Sequence, residues 1–219
     1  DLVRSRGLGD VYKRQGNNDI NTLPEPPKWR NFGNVEDLNL DPKQLNETWT
    51  KLQELSKTKL RDQERGESFY ISENATEIVN AINAALYLRR PLLVTGKPGS
   101  GKTSLAYAIA YQLKLGPVLT WPINTRSTLT SALYRYDALA RLRDTQQQED
   151  KDIGQYIQLG PVGTAFLPSR YPRVLLIDEI DKSDINLPND LLNLFEEGEF
   201  AIPELVLSLI HISEPTRPY

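Results

Sequence analysis

An eight-residue segment, Gly96–Thr103, has the pattern GxxxxGK[ST] and follows the apolar run Pro91–Thr95. Glycines in such a loop let backbone N–H groups turn inward toward phosphate oxygens. A helix that begins in the loop adds the positive end of its dipole. The pattern therefore predicts a phosphate-binding loop between a strand at 91–95 and a helix at 102–115. A glycine-rich turn without a ligand is the alternative, and a second motif downstream weakens it.

The loop pattern gives its residues distinct roles. Lys102 is expected to reach the β- and γ-phosphates, and Thr103 is expected to place its hydroxyl on Mg²⁺. The other residues expected to line the nucleotide are Gly96, Lys97, Pro98, Gly99, Ser100, Gly101 and Ser104.

A second motif lies at Val174–Glu179, where four apolar residues precede two carboxylates. The run predicts a buried parallel strand at 173–178 whose carboxyl end opens into a site. Asp178 would hold Mg²⁺ through its water shell, because this ion prefers hard oxygen ligands and keeps several waters. Glu179 would polarise the water that attacks the γ-phosphate. Two solvated acids at the end of a strand are the alternative.

The paired motifs resemble the AAA+ branch of P-loop ATPases, and residues 178–198 resemble its MoxR-like group. The resemblance covers about residues 71–203. It implies a three-layer αβα core with a parallel sheet, the cofactors ATP and Mg²⁺, and a homo-oligomeric ring. It also implies that ATP turnover remodels a partner protein, with a von Willebrand A-type protein as one candidate. By the same resemblance Tyr70 and Ile71 border the adenine; ordinary core packing is the alternative for both.

Other functions remain open from the sequence. A GTP-using AAA+ restriction-type motor is one, because neither motif reads the base. A P-loop kinase or switch is another, although the guanine-reading pattern Asn-Lys-x-Asp is absent. Adjacent carboxylates at 178 and 179 also suit a water nucleophile better than an acceptor hydroxyl. A nucleotide-dependent scaffold without turnover is disfavoured by Glu179.

The two ends of the chain are related to each other at the level of DNA. Codons can be chosen for Ser5–Gln15 whose reverse complement translates in frame as Leu207–Arg217, with all eleven residues in agreement. The chain also has no methionine. We interpret residues 1–15 and 207–219 as translated sequencing-adapter DNA and exclude them from fold reasoning. The natural gene is then expected to continue past both ends.

Composition excludes several function classes. The adapter-like ends carry five of the 26 basic and three of the 29 acidic residues, so residues 16–206 have a formal net charge of −5. A region with this net negative charge does not indicate the basic surface that non-specific nucleic-acid binding requires. No apolar run approaches the roughly 20 residues that span a bilayer. There is no cysteine, and the single histidine, His211, lies in an adapter-like end. Absent disulfides fit a cytoplasmic protein.

Hydrophobic spacing predicts elements before the loop. Residues 16–41 are rich in Asn, Pro and Gly and are expected to form a loop. A helix packing outside the core is predicted within 42–66 by apolar residues at helical spacing: Leu45, Trp49, Leu52 and Leu55. A partner-binding role for Trp49 is the weaker alternative. A further helix, capped by Ser72 or Asn74, has the apolar face Ile78, Val79, Ile82, Ala85 and Leu86.

After the loop, strands and helices alternate, which predicts a parallel sheet with right-handed crossovers. The predicted order is strand 91–95, helix 102–115, strand 117–121, helix 127–143, strand 173–178 and helix 188–197. Residues 144–173 would form either an inserted hairpin, which MoxR-like proteins typically carry, or a plain surface loop. The resemblance places the strand that follows helix 188–197 between strands 91–95 and 173–178.

The predicted organisation is a loop and helical extension at 16–66 followed by an AAA+ core at 67–206. In this interpretation the core is cut before the sensor strand, the arginine finger and the helical lid. The chain alone is then expected to bind nucleotide and to hydrolyse it poorly, because a trans-acting arginine supplies orders of magnitude in rate.

Overall fold

The computed structural model describes residues 12, 20–30, 42–69, 71, 76–147, 151–169 and 171–205. Its α-helices are α1 (Pro42–Thr58), α2 (Leu60–Glu67), α3 (Thr76–Leu88), α4 (Lys102–Gln112), α5 (Leu129–Leu133), α6 (Ala138–Gln146), α7 (Pro161–Phe166) and α8 (Leu187–Glu197). Its strands are β1 (Leu119–Pro122), β2 (Tyr134–Tyr136), β3 (Ile157–Leu159) and β4 (Leu175–Asp178). Short 3-10 turns lie at Ile20–Thr22, Lys28–Arg30, Ile153–Tyr156 and Ile180–Lys182.

The chain divides into two compact units, residues 1–122 with 167–178 and residues 123–166 with 179–219. The first unit contains a parallel pair of strands, in which Leu119 of β1 lies opposite Leu175 of β4. A parallel pair cannot be joined by a tight turn and needs a long crossover connection. The predicted α/β class with a parallel sheet is therefore confirmed, as are the strands predicted at 117–121 and 173–178.

The strand predicted at 91–95 is wrong. This segment has no strand assignment, and its apolar side chains reach solvent, with Leu93 76% exposed. A strand needs a hydrogen-bonding partner along its edge. The pairing of β4 within the described residues is to β1. The strand that the resemblance places between 91–95 and β4 was expected not to be encoded in this chain, and residues 206–219 lie outside the described residues.

Helix α4 begins at Lys102 as predicted and ends three residues before the predicted boundary of 115. Its buried residues are distributed around the helix, so α4 is packed on more than one side within the first unit. They are Leu105, Tyr107, Ala108 and Ala110. The early end has a backbone cause, because Lys114 has a φ of 54° and Gly116 a φ of 82°. Both values lie in the left-handed region, which a right-handed helix cannot continue through.

The amphipathic helix predicted within 42–66 is present as two helices, α1 and α2, with a break at Lys59, whose ψ is 66°. The Trp49 ring on α1 packs edge-to-face on the Tyr171 ring, with centroids 5.1 Å apart. Trp49 also packs against the core cluster of the first unit. Ordinary packing therefore accounts for this tryptophan. The side chain of Leu45 lies outside the described residues.

Helix α3 supplies part of the same core. Val79 and Ile82 are buried, as their place on the predicted apolar face requires, whereas Ile78 is 42% exposed. The proposed capping residues, Ser72 and Asn74, lie outside the described residues.

Buried Asn83 of α3 has its amide satisfied by the backbone of Tyr12. The Tyr12 N–H donates to Asn83 Oδ1 at 2.8 Å, and Asn83 Nδ2 donates to the Tyr12 carbonyl at 3.0 Å. Burial raises the pKa of Tyr12 to about 12. Tyr12 is the only described residue of 1–15, and the adapter origin of that segment stays a prediction.

In the second unit, the single helix predicted at 127–143 is wrong. The structure has α5, strand β2 and α6 in its place. Two side chains set these boundaries: Thr128 Oγ1 accepts a hydrogen bond from the Ser131 N–H at 3.3 Å, and Asp137 Oδ1 accepts one from the Ala140 N–H at 2.8 Å. Each satisfies an N–H that the start of a helix leaves without a partner, so each begins a new helix.

Residues 144–173 supply one strand of an antiparallel pair, β3, and the other strand, β2, lies before them. Tyr134 of β2 pairs with Leu159 of β3, and Tyr136 pairs with Ile157. The inserted hairpin is thus closer to the structure than a plain surface loop, with α6 and a 3-10 turn between its two strands.

Helix α8 confirms the helix predicted at 188–197 to within one residue. Leu187, Leu191 and Leu194 are buried at the spacing of one helix face, and the helix ends at Gly198, whose φ is 73°. Across the described residues, none of the helices combines the length and the apolar character that crossing a membrane requires.

Candidate nucleotide-binding site

The backbone of the phosphate-binding loop turns at glycines. Gly99 and Gly101 have φ values of 78° and 83°, in the left-handed region where glycine has no steric penalty. The Ser100 N–H donates to the Lys97 carbonyl at 3.3 Å, which closes a turn over the two residues between them. Residues 91–100 are exposed. The loop is therefore both shaped by glycine and open to a ligand.

Lys102 lies against the inside of this loop. Its Nζ donates to the carbonyl of Gly96 at 2.8 Å and to the carbonyl of Lys97 at 2.9 Å. The loop thus holds one ammonium group next to the backbone that would surround a phosphate. Phosphate oxygens are stronger partners for an ammonium than neutral carbonyls are, because they carry negative charge and add a Coulomb attraction to the hydrogen bond.

Thr103 and Asp178 join the loop to the end of strand β4. Thr103 Oγ1 donates to Asp178 Oδ2 at 3.2 Å, and both side chains are partly buried. The two residues are 75 positions apart in the chain, so the fold of the first unit brings them together. The pairing joins the two motifs that the sequence identified separately.

These two side chains fit a Mg²⁺ ion. A hydroxyl and a carboxylate are the hard oxygen groups that this ion and its bound water prefer, so Thr103 would hold the ion by its hydroxyl and Asp178 would hold it through its water shell. Within the described residues there is no group of three or more Asp, Glu, His or Cys side chains that would hold a metal. The remaining ligands would have to be phosphate oxygens and water, which is the usual pattern for Mg²⁺.

Glu179 follows Asp178 directly and belongs to the second unit. It has a φ of 60°, the left-handed conformation, and begins the 3-10 turn Ile180–Lys182. Its Oε2 lies 2.7 Å from Lys182 Nζ, and both side chains are 53% exposed. An exposed ion pair of this kind contributes little stability, so it holds the carboxylate only weakly. The role of Glu179 in orienting water stays a prediction.

Tyr70 and Ile71 are the two residues expected beside the adenine. Tyr70 lies outside the described residues. Ile71 is 7% exposed and belongs to the core cluster that includes Ile82 and Leu105. Its surroundings are those of an ordinary core residue, and a contact with the base stays a prediction.

Helix α2 packs against the loop helix, a contact that the sequence motifs did not predict. A Cβ on Gly66 would lie 2.7 Å from the Tyr107 carbonyl oxygen, and one on Gly101 would lie 2.7 Å from the Phe69 ring. Both positions therefore have room only for glycine. A glycine within a helical stretch often has a packing reason, and Gly66 is the residue from which this contact could have been inferred.

A family model for AAA domains of the dynein-related subfamily matches residues 91–209, which is more than half of the 219 residues. The chain belongs to this AAA family. No curated protein and no solved structure matches it.

As an AAA protein, the chain is a nucleotide-binding ATPase module. The family generally uses ATP and Mg²⁺ and usually assembles into oligomers. The match includes Gly96–Thr103 and Asp178 and begins after α1, α2 and α3. The expected α/β P-loop NTPase core is thus confirmed, and the three N-terminal helices lie outside the matched region.

Proposed function

We propose that this AAA module is MoxR-like and couples ATP turnover to the remodelling of a partner protein. The observation that carries the nucleotide chemistry is the 3.2 Å contact between Thr103 and Asp178 beside the loop that holds Lys102. Thr103 and Asp178 would hold Mg²⁺, which would supply positive charge that neutralises the phosphates.

Each side chain of this site would have a separate role in nucleotide binding or hydrolysis. Lys102 would leave the carbonyls of Gly96 and Lys97 and bind the β- and γ-phosphates, while the loop glycines let backbone N–H groups face the same oxygens. Thr103 and Asp178 would hold the metal. Glu179 would turn from Lys182 toward the attacking water, at low cost because the ion pair is exposed.

Helix α6 supports a role for the β2–β3 insertion in contacting the partner. None of its residues is buried, and Leu139 and Leu142 are 72% and 55% exposed. Exposed leucines that lie three residues apart on a helix share one face. We propose this face as a contact for the protein that is remodelled, and a von Willebrand A-type protein as that partner, in the cytoplasm.

Assembly should respond to the nucleotide. In AAA proteins the site lies between subunits, so the full-length parent protein should form a ring with ATP and Mg²⁺ and sediment more slowly with ADP or without nucleotide. Sedimentation velocity at several protein concentrations measures this difference.

GTP in the same experiment separates the alternatives. Assembly with GTP and not with ATP would favour the GTP-using restriction-type motor. A monomer in every nucleotide state at high concentration would contradict the ring and favour a kinase or switch.

A further inference from the structure

We propose that Arg65 is a positioning residue that raises the affinity of the loop for nucleotide by holding Ser104 in the first turn of α4. The proposal rests on the loop binding a nucleotide. Arg65 lies on α2, which precedes the AAA match at residues 91–209. The inference therefore gives a segment outside the matched region a part in ligand binding.

Arg65 contacts α4 at two points. Its Nε donates to Ser104 Oγ at 3.0 Å, and its guanidinium carbon lies 4.8 Å from the centre of the Tyr107 ring. Ser104 directly follows Lys102 and Thr103, the two residues whose side chains would meet the phosphates and the metal. A hydrogen bond at Ser104 therefore restrains the turn of helix from which both side chains project.

The backbone of α2 next to Arg65 also packs closely on α4. A Cβ added at Gly66 would lie only 2.7 Å from the Tyr107 carbonyl oxygen, so the backbones of α2 and α4 pack closely together. The ring of Phe69, two residues after α2, packs against Gly101 at the start of α4. Close-packed elements move together rather than independently. A shift of α2 would therefore also shift the end of the loop, where α4 begins.

The charge of Arg65 points to ligand binding rather than to stability. A cation beside the first turn of a helix opposes the helix dipole, so the charge of Arg65 does not stabilise α4. The Arg65 residue is exposed, so its removal leaves no cavity. Replacing it should therefore leave the free energy of unfolding nearly unchanged and weaken the binding of an anionic ligand.

The test is calorimetric titration of the 219-residue chain with MgADP. Arg65→Ala should weaken binding about fivefold, the range of one hydrogen bond between side chains. Arg65→Met keeps a long side chain on α2 and lacks the hydrogen-bond donor, so it should lose the same amount. Arg61→Ala, an exposed arginine on the same helix, should bind like the unmodified chain. Thermal unfolding without nucleotide should be alike in all four proteins.

A double-mutant cycle tests whether Arg65 acts through Ser104. Ser104→Ala should weaken MgADP binding about as much as Arg65→Ala, and the double variant should bind no more weakly than either alone. If the two single variants lose equal amounts of affinity and these losses add in the double variant, Arg65 acts by its charge alone. That result would overturn the positioning role. Unchanged binding in Arg65→Ala and Arg65→Met would overturn it as well.

If the loop does not bind a nucleotide at all, the titrations would give a different set of results. In that case the unmodified chain itself would not bind MgADP, or Lys102→Ala would bind as tightly as the unmodified chain. If the unmodified chain binds and Lys102→Ala does not, any result at Arg65 bears on Arg65 alone.

Discussion

Lys102→Ala is expected to weaken nucleotide binding at least about a hundredfold, since two or more hydrogen bonds from a charged group to phosphate would be lost. The ammonium of Lys102 lies within the loop, on the carbonyls of Gly96 and Lys97. Titration with MgADP measures the effect. Lys114→Ala, an exposed lysine just beyond the same helix, is the matched control and should bind normally.

Two results would count against this account of Lys102. Near-normal affinity in Lys102→Ala would mean that the phosphates lie elsewhere. An equal loss in Lys114→Ala would mean that general positive charge, rather than a specific contact, attracts the nucleotide. The thermal unfolding temperature without nucleotide should be unchanged in both variants, because water can take the place of either ammonium group.

In the longer protein that the adapter interpretation expects, Glu179→Gln should bind ATP normally and lose turnover by about a hundredfold or more, the usual contribution of a general base. The amide keeps the size of the side chain and removes its ability to accept a proton from water. Nucleotide titration and phosphate release measure the two effects separately.

Lys182→Gln is the matched control for that experiment. It breaks the same 2.7 Å ion pair and keeps the carboxylate, so its turnover should stay within a few-fold of normal. Normal turnover in Glu179→Gln would remove Glu179 from the water-positioning role. An equal loss in Lys182→Gln would assign the effect to the ion pair.

Local patterns were enough to predict the elements that bear the site. The sequence predicted α4 to begin at Lys102 and α8 to end before Gly198, because both ends are set by glycines next to them. The strand that ends in Asp178 was equally clear from its apolar run. These elements depend mainly on residues close in the chain, so a single sequence is sufficient to find them.

Predictions failed where partners or caps decide the structure. The segment 91–95 is apolar enough for a strand, but strand formation depends on a neighbour that the pattern does not contain. The helix predicted at 127–143 divides because residues 134–136 pair as a strand with β3 and Asp137 then caps a new helix, and the pattern within 127–143 does not contain the partner strand. The packing of α2 on α4 was not predicted because the two helices are distant in sequence and neither motif includes Arg65 or Phe69.

The central claim is that the loop and Asp178 form one site for a nucleotide with Mg²⁺. Calorimetric titration of the 219-residue chain with ATP, in Mg²⁺ and again in a chelator, tests it most directly when Asp178→Asn is measured alongside. The account predicts one saturable site whose affinity falls when Mg²⁺ is removed, and it predicts that Asp178→Asn lacks most of this dependence. Absence of saturable binding, or the same dependence on Mg²⁺ in both proteins, would contradict it.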